Sequence, residues 1–338
     1  MFKENAYVTV HPLQAGYFTL PERFFVTPLA NQDARKTVPS LSFLIQHTSP
    51  STSKITRILF DLGIRRDISA YSEPIRNHVK TRQPCSGSPD TLCSLERGGL
   101  SAKDIDFVVL SHVHWDHVGT PSDYPDSNFV VGNGALSLLN GSSRLENGSH
   151  SCFEPDLLPL DRTIELHVVD NAPSSIHSNH SSAKSLTDST SSDGVAWSAP
   201  QQIFWGQQWR PKGILPATLD VFRDGSLLIV SAPGHLPGHL NLLCRLQNGR
   251  YVYLAGDACH DLRLLTGEKE IAVWSDPHNI NNICCIHADK NQAEKTLALI
   301  RTLGNGGTSF GDVEIIFAHD ATWADNALEQ KLYFPGAI

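Results

Sequence analysis

The stretch Ser-His-Val-His-Trp-Asp-His-Val-Gly at positions 111–119 carries three imidazoles and one carboxylate within six residues, directly after an apolar run. On an extended backbone, His112 and His114 point to the same side because side chains alternate along the chain. Asp116 and His117 begin a new turn and can face a second ion. Imidazole and carboxylate together are typical ligands of Zn²⁺ and of neighbouring borderline metals. The alternative, a solvated histidine-rich loop, is disfavoured by the position after a buried strand.

The pattern H-x-H-x-D-H after a strand resembles the signature of the metallo-β-lactamase superfamily. The resemblance implies an α/β fold of four layers, an αββα sandwich, with two metal ions at one edge. It also implies that further ligands come from loops later in the chain. We expect one metallo-β-lactamase-like domain over residues 1–338, because the late ligands must return to the early motif.

Three later segments follow strand-like runs in the order that the resemblance requires. Residues 232–239, Ala-Pro-Gly-His-Leu-Pro-Gly-His, resemble the family's T-P-G-H-x-x-G-H loop, and we assign the second histidine, His239, as the ligand. His235 is then interpreted as a group that orders this loop. Asp257 ends a strand in Gly-Asp, the family's position for a carboxylate that bridges both metals. His319 follows the last strand and matches the last ligand.

The resemblance implies a dinuclear centre of two Zn²⁺ ions, with other divalent metals possible. The ligands of one ion are His112, His114 and His239, those of the other are Asp116, His117 and His319, and Asp257 lies between them. Four protein ligands or fewer per ion leave room for a hydroxide and a substrate oxygen, as in catalytic zinc sites. The predicted reaction is attack of a metal-bridging hydroxide on a carbonyl, with Asp116 passing a proton to the leaving group.

His260 is a second candidate catalytic residue. Bacterial lactonases of the family place a tyrosine three residues after the bridging aspartate, where it can hydrogen-bond the substrate carbonyl. This chain has His260 at that position. A histidine can donate the same hydrogen bond or shuttle a proton, and a structural role is the alternative.

The resemblance favours the N-acyl-homoserine lactonase-like group and its fungal lactonase and lactamase relatives. Similar strings are Gly-Asp-Ala-Cys-His-Asp at 256–261 and Pro-Ala-Thr-Leu-Asp-Val-Phe at 216–222. The predicted function is opening of a lactone or lactam of a small metabolite or xenobiotic, in detoxification of benzoxazolinone-type compounds or in secondary metabolism. Alternatives are a thioesterase of the glyoxalase II or acyl-carrier type, an acyl-homoserine lactone quorum-quenching lactonase, and a non-catalytic zinc-stabilised binding protein. Analogy at the level of the fold does not fix a substrate.

Composition and charge exclude several classes of partner. The chain has 27 Lys and Arg against 35 Asp and Glu, a net charge of −8, without a basic block. A nucleic-acid partner is therefore disfavoured, and a small-molecule substrate is expected. No apolar stretch resembles a signal peptide or is long enough to span a bilayer. Seven cysteines without a C-x-x-C pair favour free thiols in a reducing compartment, so we expect a cytoplasmic protein whose oligomeric state stays open.

Hydrophobic patterning predicts two sets of strands separated by a polar segment. The predicted strands cover residues 42–45, 58–60, 107–110, 129–131, 218–222, 227–230, 240–246, 251–254 and 313–317. Helical spacing predicts helices over residues 291–303 and around residues 68–81. Residues 171–200 are rich in serine and contain almost no large apolar side chain, which predicts a disordered surface insertion.

Several other residues have two possible roles. Asp61 lies in Phe-Asp-Leu-Gly at 60–63, which resembles the family's D-x-G turn that orders the metal-bearing loop, and a plain turn carboxylate is the alternative. Candidates for pocket walls, with core packing as the alternative, are Trp115, Phe204, Trp205 and Trp209. The remaining histidines lack comparable spacing, and surface or core roles are predicted for His11, His47, His78, His150, His167, His177, His180, His278 and His287.

Overall fold

The computed structural model describes residues 6–145, 152–167, 203–204, 207–276 and 279–338. In chain order the strands are β1 (Val8–Pro21), β2 (Val26–Thr27), β3 (Arg35–Thr48), β4 (Ile55–Phe60), β5 (Phe107–Val109), β6 (Asn128–Gly132), β7 (Thr163–Leu166), β8 (Arg210–Lys212), β9 (Leu215–Asp220), β10 (Leu227–Ser231), β11 (Leu240–Arg245), β12 (Tyr251–Leu254), β13 (Glu270–Ile271), β14 (Val273–Asp276), β15 (Asn279–Cys285) and β16 (Val313–Ile316). The α-helices are α1 (Glu73–Lys80), α2 (Thr91–Arg97), α3 (Ala135–Leu139), α4 (Leu262–Thr266), α5 (Lys290–Gly304) and α6 (Ala321–Glu329). The predicted serine-rich insertion at 171–200 lies outside the described residues.

Two six-stranded sheets form the centre of the molecule. The first has the strand order β1-β3-β4-β5-β6-β7, antiparallel from β1 to β4 and parallel from β4 to β7. The second has the order β16-β12-β11-β10-β9-β8, in which β12 and β16 are parallel and the other neighbours antiparallel. Each half of the chain therefore builds one sheet.

Alternation of apolar residues along the strands places helices outside both sheets. In β3, Phe43 and Ile45 join the core between the sheets, whereas Leu44 joins the core on the outer face with α2 and α3. In β10, Ile229 faces the core between the sheets and Val230 faces the outer core with α4 and α5. The four layers are helix, sheet, sheet and helix, which confirms the predicted αββα sandwich.

The predicted elements match the observed ones at most positions. Every predicted strand overlaps an observed strand, and α5 contains the predicted helix over residues 291–303. Around residues 68–81 the structure has a short 3₁₀ turn followed by α1. Strand β1 was not predicted because His11, Pro12 and Gly16 interrupt its pattern. Its position at the edge of the sheet explains why a proline is tolerated there.

Among the described residues, none of the helices combines the length and apolar character that crossing a bilayer requires.

Candidate metal centre

Four loops bring polar side chains to one edge of the two sheets. The first loop (residues 110–120) follows β5, and the second loop (residues 232–239) connects β10 to β11. Asp257 comes just after β12 and His319 just after β16. Because β12 and β16 are parallel, their carboxyl ends meet at the same edge. The backbone N–H of Leu240, the first residue of β11, donates to the Ser111 carbonyl at 2.8 Å and so joins the end of the second loop to the first loop.

The first cluster contains three imidazoles and one carboxylate: His112, His114, His235 and Asp257. His114 Nδ1 lies 3.0 Å from His112 Nε2 and 3.1 Å from His235 Nε2. His235 Nε2 lies 3.5 Å from Asp257 Oδ2. All four side chains are buried. The ring nitrogens and the carboxylate oxygen therefore converge on one point, as ligands of a single ion would.

The second cluster contains Asp116, His117, His319 and again Asp257. His117 Nε2 and His319 Nε2 both lie 3.1 Å from Asp257 Oδ1. His319 Nε2 lies 3.5 Å from Asp116 Oδ2. The two oxygens of Asp257 thus face different clusters, Oδ2 the first and Oδ1 the second. Six of the seven side chains that the sequence singled out as ligands lie in these two clusters.

The remaining predicted ligand, His239, lies outside the first cluster, and His235 lies there in its place. His239 Nδ1 donates to the carbonyl of Ala232 at 3.1 Å, and His239 Nε2 accepts the backbone N–H of Asp257 at 3.1 Å. Both nitrogens of this ring are therefore engaged by the backbone. His239 fastens the second loop to the end of β12, which is the ordering role predicted for His235.

Asp61 holds the first loop in place from the end of β4. Its Oδ1 accepts the backbone N–H of Ser111 at 2.6 Å, and its Oδ2 accepts the Ser111 hydroxyl at 2.8 Å. The same Oδ2 lies 2.8 Å from His117 Nδ1. This bond orients the His117 ring so that Nε2 faces the second cluster. Of the two roles considered for Asp61, these contacts favour ordering of the first loop over that of a plain turn carboxylate.

A third group of imidazoles lies against the first cluster: His235, His260 and His287. His287 Nδ1 lies 3.2 Å from His235 Nδ1, on the side of the ring away from the first cluster. His260 Nε2 lies 3.0 Å from Asp257 Oδ2. His287 was predicted to be an ordinary core or surface histidine, and no local spacing marks it. It reaches the site because the backbone N–H of Ala288 donates to the His235 carbonyl at 2.9 Å.

Burial and the attraction of neighbouring imidazoles shift the pKa values of the two carboxylates at the site. Burial raises the pKa of Asp116. Burial also opposes ionisation of Asp257, but the attraction of His117 and His319 holds its pKa well below the ordinary range. Among the described residues, no hydrogen bond of good geometry reaches the buried atoms Asp257 Oδ1, His117 Nε2 and His319 Nε2, although both ring nitrogens lie 3.1 Å from the carboxylate oxygen. Since unpaired buried polar atoms are costly, these three fit the ligand set of a divalent ion.

A cavity opens directly onto both clusters. Its polar end is formed by the clusters and His260, and its other walls are Phe18, Leu20, Phe25, His78, Arg82, Trp115 and Ile286. It contains about 350 Å³ of empty space including its mouth. Trp115 is therefore a wall residue as predicted, whereas Phe204 packs in the core between the sheets, edge-on to Phe107. Trp209 packs against the same core, and Trp205 lies outside the described residues.

Comparison with known proteins agrees with this architecture. The family model described as the metallo-beta-lactamase superfamily matches residues 36–120. The chain is 31% identical to the metallo-hydrolase mfmC of Annulohypoxylon moriforme, over 67% of this chain and 50% of that protein. It is 27% identical to the gamma-lactamase FDB1 of Fusarium pseudograminearum, over 71% of this chain and 50% of that protein. It is also 27% identical to the cytochrome P450 monooxygenase mpaDE' of Penicillium brevicompactum, over 88% of this chain and 31% of that protein.

The chain spans half or less of the length of each of these three relatives. Solved structures with the same fold include a mutant of AiiA from B. thuringiensis with N-decanoyl-L-homoserine bound, at a TM-score of 0.59 and 16% identity over 98% of both chains. Another is an N-acyl homoserine lactone hydrolase with its product bound, at a TM-score of 0.60 and 15% identity over 98% of this chain and 99% of that one. The fold class is thus that of the αββα metallohydrolases. The chain has the metallo-β-lactamase fold, and its residues 36–120 match the model of that superfamily.

Proposed function

We propose that this chain is a dinuclear metal hydrolase that opens the ring of a lactone or lactam in a small molecule, with zinc as the metal. The observation that carries the proposal is the position of Asp257, whose two carboxylate oxygens face two separate ligand clusters. The names of the relatives, a gamma-lactamase and a metallo-hydrolase among them, point to the same class of reaction. Detoxification of benzoxazolinone-type compounds and secondary metabolism are the proposed settings.

The donor set suits borderline divalent metals. The first cluster offers three imidazoles and one carboxylate oxygen, and the second offers two imidazoles and two carboxylate oxygens. Nitrogen donors of this kind favour zinc over magnesium or calcium, which prefer oxygen ligands. When bound, a pair of such cations polarises a carbonyl group and lowers the pKa of water.

The side chains of this protein then position the substrate and handle its protons. Phe18, Phe25 and Trp115 form apolar walls that hold a ring and exclude water from the polar end of the cavity. Asp116 lines the cavity with a pKa raised by burial, so it can accept a proton and return it to the leaving oxygen or nitrogen. His260 also lines the cavity, and we propose that it donates a hydrogen bond to the substrate carbonyl.

The test measures metal content and ring opening together. The full chain is assayed on γ-butyrolactone, dihydrocoumarin, benzoxazolinone and S-lactoylglutathione, before and after treatment with a chelator. We expect two metal ions per chain and hydrolysis of a lactone or lactam that the chelator abolishes and Zn²⁺ restores. The variant Asp257→Asn should lose metal and about three orders of magnitude in rate, since metal activation supplies several kcal/mol.

Asp126→Asn is the matched control, because Asp126 is an exposed carboxylate that belongs to neither cluster. This variant should keep both ions and the full rate. Hydrolysis of the thioester alone would replace the lactonase proposal by a thioesterase. Ring opening that survives both the chelator and Asp257→Asn would overturn the metal-dependent mechanism.

A further inference from the structure

A buried arginine lines the same cavity as the two clusters. Arg82 is 9% exposed and lies two residues beyond the end of α1. Its backbone N–H donates to the carbonyl of Val79, and its backbone carbonyl accepts the N–H of Thr19, both at 2.9 Å. These two bonds fix the base of the side chain between α1 and β1. The fold therefore places Arg82 at the cavity wall, where its side chain is buried.

The guanidinium has more donors than partners in the part of the chain that the structure describes. It donates to the Thr81 hydroxyl at 3.2 Å, and no carboxylate of the described residues lies within ion-pair distance of it. An arginine side chain has five N–H donors in a planar fork. Burial lowers the pKa of Arg82 to about 10, against the opposing attraction of Asp116, so the group stays charged at neutral pH. A buried cation of this kind requires an anionic partner.

Among the described residues, the other walls of the cavity do not supply an anionic partner for Arg82. Phe18, Leu20, Phe25 and Ile286 are apolar. His78 is the polar neighbour, and burial together with the nearby Arg82 lowers its pKa to about 3, so its ring is neutral. The carboxylates at the polar end belong to the two clusters.

We propose that Arg82 binds a carboxylate that the substrate carries in addition to its ring carbonyl. This inference rests on the proposed function and narrows it to anionic aromatic lactones or lactams. A planar guanidinium matches a carboxylate in two parallel hydrogen bonds. The aromatic residues Phe18, Phe25 and Trp115, which line the same cavity, contact the ring of the substrate. A neutral ring compound of the same shape leaves the guanidinium unpaired, so the cavity discriminates against it.

The first test compares dihydrocoumarin with its 6-carboxy derivative. The wild-type protein should show a kcat/KM for the carboxylated lactone that is about tenfold to a hundredfold higher, as expected for hydrogen bonds to a charged group. Arg82→Gln should bring the ratio of the two values close to one, chiefly through KM for the carboxylated lactone. Arg82→Lys should restore part of the ratio, since it keeps the charge but not the fork. Arg97→Gln, an exposed arginine on α2, is the matched control and should keep the wild-type ratio.

The second test separates this inference from the proposed function. Binding of benzenesulfonate, an aromatic anion and a weak metal ligand, is measured by calorimetry on the metal-loaded protein. We expect Arg82→Gln to weaken it about tenfold or more, whether or not any lactone is hydrolysed. If no lactone or lactam is hydrolysed but benzenesulfonate still binds in a way that depends on Arg82, the proposed function is overturned and the role of Arg82 is not. Equal binding by wild type and Arg82→Gln, or an unchanged kcat/KM ratio, would overturn the role of Arg82.

Discussion

The two loops that carry the candidate histidine ligands present them to the two clusters in different ways. In the first loop, four side chains are predicted as ligands from their spacing, and all four lie in one of the clusters: His112, His114, Asp116 and His117. In the second loop, two histidines stand four residues apart, and only His235 faces a cluster while His239 binds the backbone. Spacing alone therefore identifies ligands where a loop simply extends a strand. In a compact turn, the backbone torsions decide which histidine points inward.

Two glycines set those torsions in the second loop. Gly234 has a φ of +129° and Gly238 a φ of +76°, both in the region that residues with a Cβ rarely adopt. A Cβ on Gly234 would lie 2.3 Å from the backbone nitrogen of Ala293, at the start of α5. A Cβ on Gly238 would lie 2.6 Å from the carbonyl oxygen of Gly132, at the end of β6. The loop is thus pressed between two neighbouring elements, which fixes the directions of its histidines.

The largest effect should separate the two histidines of the second loop. We expect His235→Ala to lose one of the two metal ions and about three orders of magnitude in ring-opening rate, because it removes a direct ligand. His239→Ala should keep both ions but lower the free energy of unfolding by about 1–3 kcal/mol, through the lost bonds to the backbone. Metal analysis and chemical denaturation check both variants. Loss of an ion from His239→Ala but not from His235→Ala would instead identify His239 as the ligand and contradict the comparison of the two loops.

A smaller effect is expected where the first loop depends on its support. Asp61→Asn removes the charge that accepts Ser111 and His117. The affinity for metal should fall about tenfold to a hundredfold, as is usual when the partner of a ligand is changed. Competition with a chelator measures it. The control is Asp104→Asn, which alters a carboxylate that also accepts a backbone N–H, from Ser101, but precedes β5, whereas the first loop follows that strand. Equal affinities in the two variants would show that the loop holds its shape without Asp61.

The smallest effect tests the packing of the second loop. Gly234→Ala should lower the free energy of unfolding by about 1–3 kcal/mol more than Gly249→Ala, because crowding a packed site costs that much. Gly249 also has a positive φ, of +82°, but an added Cβ there meets nothing within 4 Å. The difference between the two variants therefore isolates the collision with Ala293. Urea unfolding of the metal-loaded proteins checks it, and equal losses would mean that α5 yields to the added methyl group.

The sequence predicted most of the fold because alternation and apolar runs are local signals. It also predicted the first loop, because the spacing of the histidines and the aspartate there is a local signal too. It missed the sites that depend on contacts between distant segments. Arg82 reaches the cavity through the pairing of its backbone with Thr19, and His287 reaches it through the bond from Ala288 to His235. Neither contact leaves a pattern in nearby residues, so the residue types alone could not reveal them.

The parallel pairing of β12 with β16 has a consequence for how the molecule matures. Leu254 pairs in register with Ile316, although roughly sixty residues separate them along the chain. Closing so long a segment costs more entropy than forming the neighbouring β11–β12 hairpin, so β16 is expected to join the second sheet after that hairpin. Until β16 docks, the second cluster lacks His319. Retention of an ion at the second cluster therefore indicates that β16 has docked on the second sheet. Incompletely folded molecules should contain fewer metal ions than folded ones.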